Sequence, residues 1–340
     1  MTDRTPNLRR RLACWALGAL ALALGLSAQA ERPGVLVRFS HVVAADTPKG
    51  RMAQHFKKLV EERGKGRLRV EVYPDSQLYG DEDEMEALRL GAVELLAPSL
   101  SKFGTAGVPE FEVFDLPFLF NNLDEVRRVT QGPLGRQLLD RLERQQMVGL
   151  GFMDSGFKQM SARRPLTTPA DFQGQRLRVQ ASRVLVAQMR ALGAQAVVLP
   201  FGETRNALAK AVVDGAENPL SNFITQGLAG VQSDVSLTRH GYLGYAVVSN
   251  PRFWNSLAPA DRELLGQALA EALALGNRLS AELDQQALDT LRSTPGLRVH
   301  TLTPAQRAEL KRQVEPVYQT FERTVGPALL RDVRQALQAP

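Results

Sequence analysis

The sequence predicts an α/β fold with largely parallel sheets shared between two domains, and three observations carry that prediction. Short apolar runs bounded by Gly, Pro or Ser alternate with helical patterns along most of the chain, the rhythm of strand-helix-strand units. About 310 residues remain after an N-terminal leader, more than one hydrophobic core comfortably serves. From Ala260 to Ser293 the helical pattern continues without a proline; unbroken, it would run roughly 50 Å, longer than one small domain. That segment is either two helices broken near Gly276 or one strut shared by both domains.

The leader is set apart by composition. "NLRRRLACWALGALALALGLSAQA" combines Arg9, Arg10 and Arg11, an apolar stretch from Leu12 to Leu26, and the small-residue ending Ala28-Gln29-Ala30. This is the pattern of a secretory signal peptide, residues 1 to 30, cleaved after Ala30. No later segment approaches the ~20 apolar residues of a membrane span. The only cysteine, Cys14, falls inside the leader, so the mature chain is expected to have no disulfide, thiolate nucleophile or thiolate metal site. Loss of four Arg and one Asp with the leader lowers the formal charge from +6 to +3. Without a basic cluster, that balance gives no support to nucleic-acid binding.

The mature chain opens on the strand "VLVRFSHVV" (35 to 43). A helix follows over 47 to 64, with Thr47 as its cap, Pro48 in its first turn and Gly64 at its end. "RLRVEVYP" alternates as a strand, and "DEDEMEALRLG" (81 to 91) crowds acidic residues at a helix start, where the helix dipole favours them. "VELLAPS", "MVGLGFM", "RLRVQ", "AQAVVLP" and "YAVVSN" are further short strands. Ser182 opens a helix that ends near Gly193. In "ETRNALAKAVV", Ala207, Leu208, Ala211 and Val212 share one helical face, which predicts a helix ending near Asp214.

The residues offer little conventional chemistry. His41, His55, His240 and His300 have no partner at ligand spacing, and the chain holds no His-Glu-x-x-His, nucleophile elbow or phosphate loop. No catalytic centre, metal or cofactor is expected. His55 and His300 sit in ordinary surroundings, whereas His41 and His240 each follow an extended run, where strands end. Lysine is scarce, 8 against 34 Arg, so a lysine in a special place is informative. Lys158 closely follows the strand-like "VGLGFM", and Arg178 lies inside the strand of "RLRVQAS". Open α/β sheets bind ligands beyond the carboxyl ends of their strands, where helix N-termini favour anions. Arg178 is therefore the candidate for gripping a carboxylate with its planar fork.

"DGAENPLSN" (214 to 222) adds a turn pair and a proline that pushes Asn218 toward an extended conformation. Glu217, Asn218, Ser221 and Asn222 are expected on a short, stiff, non-helical segment. Its side chains either cap their own backbone or face a ligand.

Taken in order, "FSHVVAADTPKG", "YPDSQLYGDEDEMEALRLGAVELLAPSLSKF", "FDLPFLF", "GFKQMSARRPL", "RLRVQAS", "RALGAQAVVLPFGE", "ALAKAVVDGAENPLSN" and "RHGYLGYAVVSN" resemble the periplasmic solute-binding proteins of tripartite ATP-independent (TRAP) transporters. The resemblance covers essentially the whole mature chain and is closest to the branch that binds four-carbon dicarboxylates. It implies a periplasmic receptor, not an enzyme, with two α/β lobes joined by hinge strands and a long helix. An organic acid is closed between the lobes and delivered to the membrane subunits of the transporter. The lobes are expected at 31 to 155 plus about 244 to 283, and at 156 to 243 plus about 284 to 340.

By the same resemblance Arg178 matches the family's central carboxylate-binding arginine and Lys158 its second cation. Asn218 matches the ligand-bonding asparagine, with Asn222 nearby. His41, Lys49, Ser99 and His240 come from the dicarboxylate-type motifs around them. The chain departs from the pattern at four places, one of them a residue pair. Thr204-Arg205 replaces a hydrophobic-Tyr pair, Ala181 a proline, and Met153 and Ser155 an aromatic and an amide. The preferred ligand is malate, succinate or fumarate; a keto, sugar or aromatic acid, or a sensory or enzymatic role on the same fold, are the alternatives.

Overall fold

The computed structural model describes residues 34–338, so the leader and its cleavage site lie outside the described residues. The strands are β1 (Val35–Ser40), β2 (Leu68–Tyr73), β3 (Leu95–Leu96), β4 (Val148–Ala162), β5 (Arg176–Val179), β6 (Gln195–Val198), β7 (Gly215–Asn218), β8 (Asp234–Ser249) and β9 (Arg298–Thr301). They join in one sheet of order β2-β1-β3-β8-β4-β7-β5-β6, with β9 paired to β8.

Parallel pairing holds at each end, β1 with β2 and β3, and β5 with β6 and β7. It fails in the centre, where β4 and β8 run antiparallel through both halves of the molecule. The sequence displays only their apolar portions, "MVGLGFM" and "YAVVSN". β4 continues through Asp154, Lys158 and Gln159, and β8 begins well before His240, because those polar side chains are buried against partners from elsewhere in the chain. Alternation of apolar residues cannot reveal such a strand.

The register of β4 on β8 slips three times, once between Asp154 and Gly156. Gly156 has φ +141, a conformation that disfavours any side chain. A buried knot secures the same place. The Asp154 carboxylate accepts hydrogen bonds from Tyr242 Oη at 2.8 Å and Arg127 Nε at 2.9 Å, while Ser280 Oγ donates to the Asp154 carbonyl at 2.7 Å. Both crossing strands are thereby tied to one helix.

That helix, Pro259–Ser293, is unbroken over 35 residues, which decides between the two readings of the segment. Gly276 is not a break: a Cβ there would come within 2.8 Å of Met153 Cε, so the missing side chain lets the helix lie close to β4. Leu265, Leu269 and Leu273 pack with Met52 and Phe56 of the Pro48–Gly64 helix, whereas Ala287 and Leu291 pack with Leu208, Leu220 and Phe223. One helix thus enters two separate cores on the same face of the sheet, each fully buried Leu or Phe contributing roughly 1.5–3 kcal/mol. The other face carries a single continuous core that runs from Phe103, Phe111 and Phe114 to Leu185, Val317 and Leu330.

The stretch before Asn218 departs from expectation. The helix is only Thr204–Ala209, and Ala211 turns left-handed at φ 54. The chain must leave the helix early to enter the sheet between β4 and β5, where Gly215 passes so close that a Cβ would meet the Ser161 carbonyl at 2.4 Å. Nor is 214 to 222 irregular. Glu217 and Asn218 end β7, while Ser221 and Asn222 lie in the helix Leu220–Thr225, with Pro219 between the two elements. The expected cap on the helix Arg183–Ala191 is present, Ser182 Oγ accepting from Leu185 N at 3.3 Å.

Candidate functional site

An enclosed cavity lies beyond the carboxyl ends of β1, β5 and β7, reached by Val43, Gln180 and Asn218 respectively. Its volume is about 20 Å³, and Lys49, Ser99, Lys158, Asn218 and Asn222 line it together with Glu217 and Tyr245. A second cavity of about 290 Å³ adjoins it; Arg178 lines this one, and Asp81, Lys102 and Gln180 border both. Six of the eight residues expected from sequence are therefore gathered around two adjoining spaces.

β5 and β7 run side by side, with Arg178 opposite Ala216, and Asn218 opposes Gln159 of β4. Arg178 is 1% exposed, and its Nε and Nη2 donate to the Leu199 carbonyl at 2.9 and 2.7 Å. Burial pushes its pKa below the usual arginine value, opposed by the charges of Asp81 and Glu217. Lys49, also 1% exposed, donates to the Ala97 carbonyl at 2.9 Å and stands 3.7 Å from the centre of the Tyr245 ring. Burial lowers its pKa to about 7. Neither cation forms an ion pair among the described residues, although such groups are costly to bury alone.

Lys158 is different. Its Nζ is 2.9 Å from Glu217 Oε1 and 3.9 Å from Asp115 Oδ1, and Asp115 in turn accepts from Ser101 and Ser182 at 2.6 and 2.7 Å. Lys102 pairs with both Asp81 and Glu84. Asn222 Nδ2 donates to Tyr245 Oη at 3.4 Å, Ser99 accepts from Gln180 Nε2 at 3.0 Å, and Asn218 Nδ2 is buried with no hydrogen-bond partner in the structure. The arrangement is a polar, buried clamp with two basic groups that lack an ion-pair partner among the described residues and an amide donor left unbonded.

The two histidines line neither cavity. His240 lies inside β8, not at a strand end, and supports the site from behind, its Nε2 2.8 Å from Glu217 Oε2 and its Nδ1 2.7 Å from Thr238 Oγ1. His41 does follow the last residue of β1, but it is fully buried with both ring nitrogens unpaired. Burial and then Lys49 lower its pKa to about 3, so it is a neutral neighbour of that lysine.

Residues 39–324 match the family model described as bacterial extracellular solute-binding protein, family 7. The chain belongs to that family. It is 46% identical to a C4-dicarboxylate-binding periplasmic protein of Rhodobacter capsulatus, over 97% of this chain and 99% of the relative. Among solved structures, a TRAP periplasmic solute binding protein from Shewanella oneidensis with bound succinate superposes with a TM-score of 0.88 at 43% identity, covering 90% of this chain and all of that one. Another from Pseudomonas aeruginosa, with bound L-malate, gives a TM-score of 0.82 at 38% identity, over 84% of this chain and 99% of that one. These likenesses bear out the TRAP resemblance and the two-lobed α/β fold with hinge strands and a long helix.

Within this family 7 chain, three of the four departures from the family pattern fall away from the cavities. Arg205 is exposed and donates to the Gly227 carbonyl at 3.3 Å; Met153 is core; Ser155 only accepts from Tyr245 Oη at 3.2 Å. Ala181 alone lines a cavity, the larger one. Sequence reasoning missed Asp115, Asp81, Lys102, Gln180 and Tyr245, and singled out Glu217 only as a neighbour of Asn218. Lysine scarcity could have found Lys102, since Lys49, Lys102 and Lys158 are the buried three of the eight. Nothing local distinguishes the others.

Proposed function

We propose that this chain is the extracytoplasmic receptor of a TRAP secondary transporter and binds a short dicarboxylate, malate, succinate or fumarate, in the cleft between two lobes. One observation carries the reading: Arg178 and Lys49 are buried cations paired only with carbonyl oxygens. A dianion supplies two carboxylates where two charges need them. Arg178 offers a bidentate fork, Lys158 a further cation already steadied by Glu217, and Asn218 an amide donor without a partner. Ser99 and Asn222 complete the polar lining. His240 holds Glu217 in place from behind, and His41 is a neutral, buried neighbour of Lys49; neither touches the ligand.

The enclosed space is room for about one water-sized sphere, so a four-carbon acid enters only as the lobes part and these side chains move. Closure then removes the acid from water, and charge-assisted hydrogen bonds at low effective dielectric replace its hydration shell. The ligand's preference for the closed form shifts the population toward it, and the membrane subunits recognise that form. The lobes divide at 155/156 and near 243/244, with 31 to 155 plus about 244 to 283 in one and the remainder in the other. The slipped register at Asp154/Gly156 supports a hinge there. A leader cleaved after Ala30 delivers the receptor to the periplasm. No bond in the ligand is broken, so the acid is recovered unchanged.

The test is thermal unfolding of the mature protein, freed of carried-over ligand, against mono- and dicarboxylates, sugar acids, sugars and amino acids. A ligand that binds only the folded state raises the melting temperature. A rise confined to malate, succinate and fumarate is expected. A rise only with larger or monobasic acids overturns the dicarboxylate assignment.

A further inference from the structure

We propose that Phe201 is a positioning residue that couples the carboxylate grip of Arg178 to closure of the cleft. The inference rests on the dicarboxylate reading above. Leu199, Pro200 and Phe201 follow β6, and the two ends of this short segment serve different tasks. The Leu199 carbonyl accepts from Nε and Nη2 of Arg178, whose Cζ lies 5.9 Å from the centre of the Phe201 ring, within cation–π reach. The segment therefore fixes the fork. Phe201 itself is 5% exposed and forms a small apolar cluster with Val42 and Val43, separate from the three larger cores. Its backbone N–H also donates to the Asp81 carboxylate.

These contacts cross between the halves. Val42, Val43 and Asp81 fall in the 31 to 155 segment proposed for one lobe, and Phe201 in the 156 to 243 segment of the other. Val42 and Val43 follow β1, which β3, β8, β4, β7 and β5 separate from β6 in the sheet. Val197 and Leu199 pack on their own half's core with Leu208 and Val213, yet Phe201 leaves that core and seats on the other half. Parting of the halves would return the ring to water, so its seat favours the closed form. Asp81 adds a charged acceptor: burial opposes its ionisation, but Lys102 and the Phe201 N–H outweigh it and hold the carboxyl below its usual value. Release of the acid therefore requires that Phe201 be unseated, which also frees the segment that holds Arg178.

The experiment follows loss of radiolabelled succinate into an excess of unlabelled succinate, with Kd by calorimetry and melting temperatures with and without succinate. Phe201→Ala should release succinate about 10- to 100-fold faster, the rate equivalent of unburying one large apolar side chain, with a smaller change in association. Its melting temperature should fall more with succinate than without, because the ring is already exposed when the halves part. Phe201→Leu keeps an apolar seat on Val42 and Val43 and loses the ring over Arg178, so it should recover most of the slow release. Val43→Ala, on the other half, should speed release by less than Phe201→Ala, and it tests the idea even where Phe201→Ala fails to fold. An unchanged release rate in the folded variants, or an equal fall in melting temperature with and without succinate, overturns this inference alone. No binding of any short dicarboxylate by wild type overturns it together with the functional reading.

Discussion

Lys158 Nζ stands 2.9 Å from Glu217 Oε1, and the other oxygen of the same carboxylate is 2.8 Å from His240 Nε2. One glutamate on β7 therefore holds a cation from β4 and an imidazole from β8, three neighbouring strands at the point where the two crossing strands pass the cleft. Burial opposes its ionisation, yet Lys158 and the His240 hydrogen bond hold its pKa at about 2, below the 4.5 of the free group.

Because that pKa is depressed, the stabilisation is fully present above about pH 4.5 and is lost as the pH falls toward about 2. Glu217→Gln should lower stability by about 3 kcal/mol at neutral pH, since it leaves Lys158 buried with only the more distant Asp115 as an ionic partner. It should also flatten the loss of stability across that acid window. Denaturant unfolding of both proteins at several pH values measures both effects, and an unaltered acid limb would mean the pair does not govern it.

Arg178→Ala should raise the Kd for succinate by about 30-fold or more, corresponding to loss of a buried charge-assisted contact of ~2–5 kcal/mol. The fold should persist, as the guanidinium bonds only to the Leu199 carbonyl. Arg178→Lys should recover only part of the affinity, because a point charge cannot replace the fork. Calorimetry with both variants decides; wild-type affinity in the alanine variant would remove Arg178 from the grip.

Asn218→Ala should weaken binding by about 2- to 12-fold, the value of one hydrogen bond of ~0.5–1.5 kcal/mol. Its amide nitrogen has no partner among the described residues, so ligand-free stability should not fall with it. Melting temperatures measured with and without succinate separate the two effects. A parallel loss in both would make Asn218 a structural residue.

Lys49 should take up a proton when the acid binds. Burial lowers its pKa to about 7, and an arriving carboxylate favours the charged form. Affinity should therefore decline as the pH rises above about 7. For the ligand-free protein the sign is opposite: the folded pKa lies below the unfolded one, so this group's contribution to stability increases between about pH 7 and 10.5. Calorimetry in buffers of different ionisation enthalpy reads the uptake directly, and Lys49→Met should abolish it.

Much of the lining was legible because its signals are local. Arg178 sits in a strand just before a capped helix, Asn218 precedes a proline, and Lys49 and Lys158 stand out in a chain poor in lysine. Asp81 and Asp115 look like any other acids along the chain, and Glu217 is marked only by its place beside Asn218 and Pro219. Their importance arises only from partners far away in sequence, Phe201 for Asp81, Ser182 for Asp115 and His240 for Glu217. His240 itself was misplaced to a strand end because the polar half of β8 hides the strand that contains it.

By itself the sequence determined the strand-helix rhythm, the proline-free helical run over 260 to 293 and the order of motifs that marks the family. These follow from composition, periodicity and turn chemistry, which act over a few residues. Only the tertiary structure decided that β4 and β8 cross the whole molecule, that the long helix serves two cores, and which cations keep a carboxylate partner. Burial and charge pairing depend on which distant segments meet, and those meetings fix the cost of leaving Arg178 and Lys49 unpaired.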